Sequence, residues 1–263
     1  MPFTLSHAAA VLPFRKMRLE VSALVTGCFA PDFPYFLFFI HHGFFGHTLP
    51  GIFIFDLPVS LIALWLFHSY IKQPLSMLLP KGFRARLRSR ENGFSFWPPP
   101  RLALIAISIL IGSGTHILWD SFTHTFYWPY RHWSFLREMV HVPIAGDMGM
   151  YKVLQYVSTV FGIVVLAVWV WFWYRATNPA ELPIAEPYSP AQLRVITILA
   201  PAVALFGGLL RAYVKLAAVP GTTIRSLLHI GVDLLLTATT LLALGLLVCG
   251  VAFGRRVAVT EQV

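Results

Sequence analysis

The chain has 263 residues, of which 57% are hydrophobic and only 12% charged. That charged fraction is about half the roughly 25% of a soluble domain, and apolar runs of about 20 residues recur, as a bilayer requires. A soluble enzyme is excluded, and the net charge of +9 is not a nucleic-acid signal, because the basic residues sit in short loops beside apolar runs, where they set topology and meet anionic headgroups. The expected fold is all-α: a multi-pass transmembrane helical bundle of about six membrane segments, with short broken helices around a polar site. Cys28 and Cys249 both lie inside apolar segments, far apart in sequence, which argues against a disulfide framework or a cysteine-based zinc site. No positive charge precedes the stretch Phe3 to Leu12, so the start does not read as a cleaved signal.

In chain order, residues 2–14 form a short apolar segment carrying His7 between Pro2 and Pro13, too short at about 1.5 Å per residue to cross a bilayer. Arg15, Lys16 and Arg18 follow. Residues 19–40 are long enough to span, but Pro31 and Pro34 force a break around Asp32. A turn-rich loop holds His41, His42 and His47. The next span, residues 52–71, has Asp56 and Pro58 in its first turns. Residues 72–101 form the longest polar stretch, with Lys72, Lys81, Arg84, Arg86, Arg88, Arg90 and Arg101 against the single acid Glu91. Pro98, Pro99 and Pro100 lead into a span over residues 102–122. Residues 123–150 read as a loop rich in aromatics and histidines, a composition that a membrane interface attracts. A span over 153–174 ends in an aromatic belt. The expected organisation is a site-bearing part over 1–175, a proline-rich polar linker over 176–193, and a hairpin of spans (195–215 and 227–253) over 194–263.

Six spans place Arg15, Lys16, Arg18, the 72–101 stretch, Arg175, Arg194, Arg255 and Arg256 on one side. The positive-inside rule makes that side cytoplasmic, with both termini inside and the chain in the inner membrane. Asp32, His47, Asp56, His116, Asp120 and His124 then share the outer half. His7 is left on the other side, unless the broken 19–40 segment is not a simple span.

Within the span over 102–122, His116, Asp120 and His124 recur every fourth residue, a rotation of only about 40° per step, and so face one way. Ionisable groups at membrane depth suggest function, and an imidazole and a carboxylate one turn apart suit a divalent metal. The competing reading is a polar pair that bonds to neighbouring helices. Asp32 can equally cap the helix that follows it, His47 can be a solvated loop residue, and His7 alone reads as an interior histidine. Asp56 reads as a supporting or capping carboxylate rather than a ligand. For His124, His132 and His141 the interfacial reading is preferred. The Arg84–Arg90 run reads as a solvated, lipid-facing loop, and Arg211, Lys215, His229 and Asp233 as groups that pair within the last hairpin.

Several motifs occur together: Phe3-Thr-Leu-Ser-His7, Ala30-Pro-Asp32, Gly46-His-Thr-Leu-Pro-Gly51, Phe55-Asp-Leu-Pro58, Ser121-Phe-Thr-His124 and Tyr151-Lys-Val-Leu-Gln155. In that order they resemble the bacterial domain of unknown function 4184 family, from the start to about Tyr174. More distantly, the order of His7, Asp32, His47, His116 and Asp120 resembles membrane-bound metal-dependent hydrolases related to zinc-dependent phospholipases C. That resemblance implies that these five residues are metal ligands. The sequence departs from it by one extra residue in the loop His42 to His47, and it lacks the further histidine and glutamate ligands of a trinuclear cluster.

The function expected is therefore hydrolysis at the membrane surface, with a divalent metal activating water against a phosphoester or a lipid-linked substrate. Mixed nitrogen and oxygen ligands suit zinc, with manganese or iron as alternatives, and Asp56 is the candidate general base. Membrane lipids are the expected partners, and no nucleic acid. The alternatives are a proton- or ion-coupled transporter using the broken helices and a non-catalytic membrane scaffold.

Overall fold

A computed structural model describes residues 4–39, 45–88, 94–143, 146–180, 187–218 and 224–254. Of the residues singled out above, Pro2, Phe3, Ile40, His41, His42, Arg90, Glu91, positions 181–186 of the linker, Arg255 and Arg256 lie outside the described residues. Among the described residues, six helical segments are long and apolar enough to cross a membrane. The chain is a multi-pass membrane protein, and its described residues fall into two compact units, Met1–Leu64 with Ser95–Trp173 and Trp65–Phe94 with Tyr174–Val263.

The first unit begins with α1 (Thr4–His7), which runs directly into a 3-10 helix, Ala8–Lys16. The first candidate span is in three pieces: α2 (Val21–Phe29), a 3-10 turn over Ala30–Asp32, and α3 (Phe33–Phe38). Pro31 and Pro34 cause the break, because each lacks an N–H and its ring crowds the carbonyl four residues back. α2 lies against α6 (Pro99–Asp120), and paired glycines make the approach possible. A Cβ on Gly27 would collide with the Ile109 carbonyl, and one on Gly112 with the Leu24 carbonyl. Close backbone contact through small residues is a usual way to hold helices together in lipid.

Ser6 packs its backbone against Gly162 of α8 (Met150–Ala176), where a Cβ would again be refused. Farther along the same helix, the Arg15 guanidinium lies 5.7 Å from the Trp169 ring. Thr4 to Lys16 therefore forms an arm that lies along α8 within the bundle. Between α6 and α8 the chain is not the irregular loop expected. It forms a short helix α7 (Trp128–His132), a 3-10 turn, and a hairpin of β1 (Met139–Val142) and β2 (Gly146–Gly149) in register Val140 with Met148.

The second unit holds a hairpin of α9 (Pro190–Ala218) and α10 (Ile224–Phe253). Gly208 fits against the Leu234 carbonyl and Ala238. Asp233 pairs with Arg211 at 3.0 Å and Lys215 at 2.8 Å, so three of the four groups expected to pair in this hairpin do so. The span α4 (Leu49–Met77) enters this unit at Trp65, and its Tyr70 carbonyl abuts Gly250 of α10. The Arg84–Arg90 run, expected as a solvated, lipid-facing loop, is helical as far as it is described. Lys72–Met77 continues the helix, Lys81–Arg88 forms α5, and Arg86 stacks 3.9 Å from the Tyr174 ring while donating to the Tyr174 carbonyl at 2.8 Å. Both spans, α4 and α9, contain π turns, at Ile52–Asp56, Phe67–Ile71 and Val195–Leu199. Each is followed within three residues by a proline, Pro58, Pro74 or Pro201, whose missing donor and bulky ring loosen the turn before it.

Candidate metal centre

Four separate pieces of the first unit meet at one place. α6 carries His116 and Asp120 on one face, four residues apart, as the helical period requires. The broken span contributes Asp32 from its 3-10 turn. His47 comes from the turn before α4, and His7 from the end of α1. All five are buried: His7 and His116 are 0% exposed, Asp32 and Asp120 1%, and His47 5%.

His116 shows how the backbone sets the chemistry. Its Nδ1 lies 2.7 Å from the Cys28 carbonyl oxygen. A carbonyl only accepts, so Nδ1 carries the proton and Nε2 points its lone pair the other way. That carbonyl is available because the helix tightens to a 3-10 turn at Ala30–Asp32, and the Gly27–Gly112 approach brings it within reach. Ser113 reinforces the crossing by donating to the Gly27 carbonyl at 2.9 Å.

The remaining ligand-type atoms converge. His116 Nε2 is 3.4 Å from Asp120 Oδ2 and 3.7 Å from Asp32 Oδ1. His47 Nε2 is 3.4 Å from Asp32 Oδ1 and 3.5 Å from Asp120 Oδ2. His7 Nε2 is 3.4 Å from Asp120 Oδ1, and its ring stacks on His116 with centroids 4.0 Å apart. Two ligands held tetrahedrally at about 2.0–2.1 Å from zinc are themselves about 3.3–3.4 Å apart. Two overlapping triads each bring their ligand atoms within 4.8 Å of one another, His7 with His116 and Asp120, and Asp32 with His47 and His116. Asp32 Oδ1, His116 Nε2, Asp120 Oδ2 and both nitrogens of His7 make no hydrogen bond of acceptable geometry, although buried polar atoms almost always find one. The cluster can hold a metal ion. Two carboxylates and neutral imidazoles around a divalent cation sum to zero charge, the condition a low-dielectric interior tolerates best.

Outside the spans the electrostatics follow burial. His7 is pushed down to about 3, by desolvation first and by the neighbouring His116 second, so its imidazole is neutral at ordinary pH. For His47, desolvation also lowers the value, but the close approach of its Nε2 to the Asp120 and Asp32 carboxylates outweighs it and raises the group to about 9. His124 is lowered, chiefly by burial.

A supporting shell surrounds the five. Thr4 donates to Asp32 Oδ2 at 2.6 Å, while His7, three residues on, reaches Asp120. The loop motif around His47 is built for position. Thr48 caps α4 through the Gly51 N–H at 3.1 Å, a Cβ on Gly51 would strike the Phe45 carbonyl, and one on Gly46 would lie 3.0 Å from both Asp56 Oδ1 and the Pro31 carbonyl. The Tyr127 hydroxyl donates to the His47 carbonyl at 3.3 Å. Thr123 and His124 close the end of α6, with His124 Nδ1 3.5 Å from Asp120 Oδ2. His124 thus stands beside the cluster. His132 and His141 do not join it: His132 stacks on Trp128, and His141 pairs with Asp147 at 2.8 Å.

Asp56 is 0% exposed and belongs to neither triad. It sits beside Gly46, which precedes His47. Reasoning on the sequence overlooked Thr4, Thr123, Tyr127 and the Cys28 carbonyl. Only Thr4 had a signal, its i, i+3 spacing from His7; a backbone carbonyl leaves none.

A family model described as a domain of unknown function (DUF4184) matches residues 1–251. The match runs past Tyr174, where the resemblance was expected to fade, and takes in α9 and nearly all of α10. No curated protein and no solved structure matched.

Proposed function

The chain belongs to the DUF4184 family, whose description names no activity, and on that premise we propose that it is a membrane-embedded, metal-dependent hydrolase acting on a phosphoester of a lipid or lipid-linked substrate. The observation that carries the proposal is the pair of overlapping, buried His/Asp triads whose ligand atoms lie within 4.8 Å of one another. His7, Asp32, His47, His116 and Asp120 are the proposed ligands. Their mixed nitrogen and oxygen donors favour zinc, with manganese or iron as alternatives. A divalent ion bound there supplies Lewis acidity and lowers the pKa of water.

The chain's own residues supply the rest. Cys28 fixes the tautomer of His116, Thr4 orients Asp32, and the two carboxylates balance the ion's charge. Asp56 is the proposed general base, because it lies beside Gly46, the neighbour of the ligand His47, without belonging to either triad itself. A lipid substrate is favoured by the apolar surface beside the ligands in sequence: Leu5 and Leu118, each two residues from a ligand, are exposed. The proposed location is the inner membrane, with both termini cytoplasmic.

The test is metal analysis of the detergent-purified full chain, together with phosphate release from phosphatidic acid in mixed micelles. The hydrolase reading predicts at least one tightly held transition-metal ion per chain and phosphate release that Asp56→Asn reduces without loss of metal. Weakly held, exchangeable metal would support a transporter instead. Absence of metal would support a scaffold.

A further inference from the structure

The metal centre leaves unused a second feature of the same arm. Where the 3-10 helix Ala8–Lys16 lies along α8, the two enclose a groove of about 430 Å³ lined by Ala9, Leu12, Pro13, Arg15, Lys16, Val165 and Trp169. That volume falls within the roughly 300–1,000 Å³ of sites that take a small ligand. The lining divides by chemistry: aliphatic side chains and proline form most of it, and a guanidinium and an ammonium, adjacent in sequence, sit at its Lys16 end. No acid lines it. Glu20, the nearest acid along the chain, is engaged by Arg101 at 3.6 Å. Arg15 and Lys16 form no ion pair with any described residue. The Trp169 indole N–H is buried without a hydrogen-bond acceptor, although such groups normally find one.

We propose that this groove binds an anionic phospholipid, with an acyl chain against Leu12, Pro13 and Val165 and the phosphate held by Arg15 and Lys16. Apolar length ending in unpaired positive charge complements a lipid that is apolar along its length and negative at its head. Tryptophan and arginine at the end of a span are the usual residues of the headgroup layer. The bound lipid is not the substrate of the metal centre. Eight residues of mostly 3-10 helix separate Arg15 from His7, roughly 16 Å at about 2 Å per residue, too far for that phosphate to reach the ligands. Its role is to clamp the arm against α8. The inference stands on the groove and its charges alone and does not depend on metal or hydrolysis.

The test uses the full chain in nanodiscs, with chelator present so that metal contributes nothing. Melting is compared in phosphatidylcholine with and without phosphatidylglycerol, and bound lipid is counted by native mass spectrometry. The proposal expects phosphatidylglycerol to raise the melting temperature by about 4 °C and a retained phosphatidylglycerol adduct. Arg15→Gln/Lys16→Gln changes two exposed side chains and should abolish both effects. Val165→Trp, which fills the groove without touching charge, should abolish the adduct. Equal melting in the two lipids, an undiminished shift in the double variant, or the same shift from inorganic phosphate in detergent alone would overturn it.

Discussion

His116 gives up one nitrogen to the Cys28 carbonyl and turns the other towards two carboxylates, so its tautomer is set before any ion arrives. Orienting contacts of this kind matter nearly as much as the ligands. Thr4→Val, which removes the hydroxyl from Asp32, should lower metal affinity about 10–100-fold and cost about 1–3 kcal/mol of stability; isothermal titration and thermal melting would measure the two. His47 makes a different prediction. In the metal-free protein its value lies near 9, above the 6.5 of an ordinary histidine. The stability this supplies is present in full below about pH 6.5 and is lost as pH rises through about 9. Chelated protein should therefore lose melting temperature between pH 7 and pH 10, and His47→Gln should lose less. An equal loss in both would show that His47 is not held protonated by Asp32 and Asp120.

At the scale of elements, the helical pair was legible because His116 and Asp120 obey a local period, and the break at Asp32 because proline acts locally. Six apolar runs also became six candidate spans. The arm was not legible. A 13-residue apolar segment is too short to span, and nothing in it states that it lies along α8. Sequence topology left His7 outside the site unless the broken 19–40 segment is not a simple span. In the structure that segment is in three pieces, and His7 joins the cluster because the arm lies within the bundle. The Gly27–Gly112 crossing was equally hidden, since its meaning depends on two helices 85 positions apart in sequence. Gly112→Ala should force α2 from α6 and destabilise the fold by about 1–3 kcal/mol, together with loss of metal as the Cys28 carbonyl leaves His116. Unchanged melting would mean that the close approach is not required.

For the whole molecule, every ligand-type residue of the two triads belongs to the unit Met1–Leu64 with Ser95–Trp173. The family match nevertheless extends to residue 251, and residues 65–94 pack with the C-terminal helices. Truncation after Ala176 should leave the ligands in place and metal bound, but lower the melting temperature, because Tyr70 and Met77 lose the packing of Gly250 and Ile196. Orientation is read from charge alone. Ser95→Cys should be shielded from an impermeant thiol reagent in intact cells and Ser134→Cys labelled, against a low background from the buried Cys28 and Cys249. The reverse pattern would invert the topology and move the centre to the other face of the membrane.

The central claim, that residues from four separate segments form one metal centre, is tested most directly by metal content and melting measured together on the full chain and on His7→Ala, His116→Ala and Asp120→Asn. His7 is the most telling, because no local pattern links it to α6. The account predicts stoichiometric metal in the parent protein and its loss or severe weakening in all three variants, each still folded. Parent-level metal in all three, or no metal in the parent and a simple loss of stability in each variant, would contradict it.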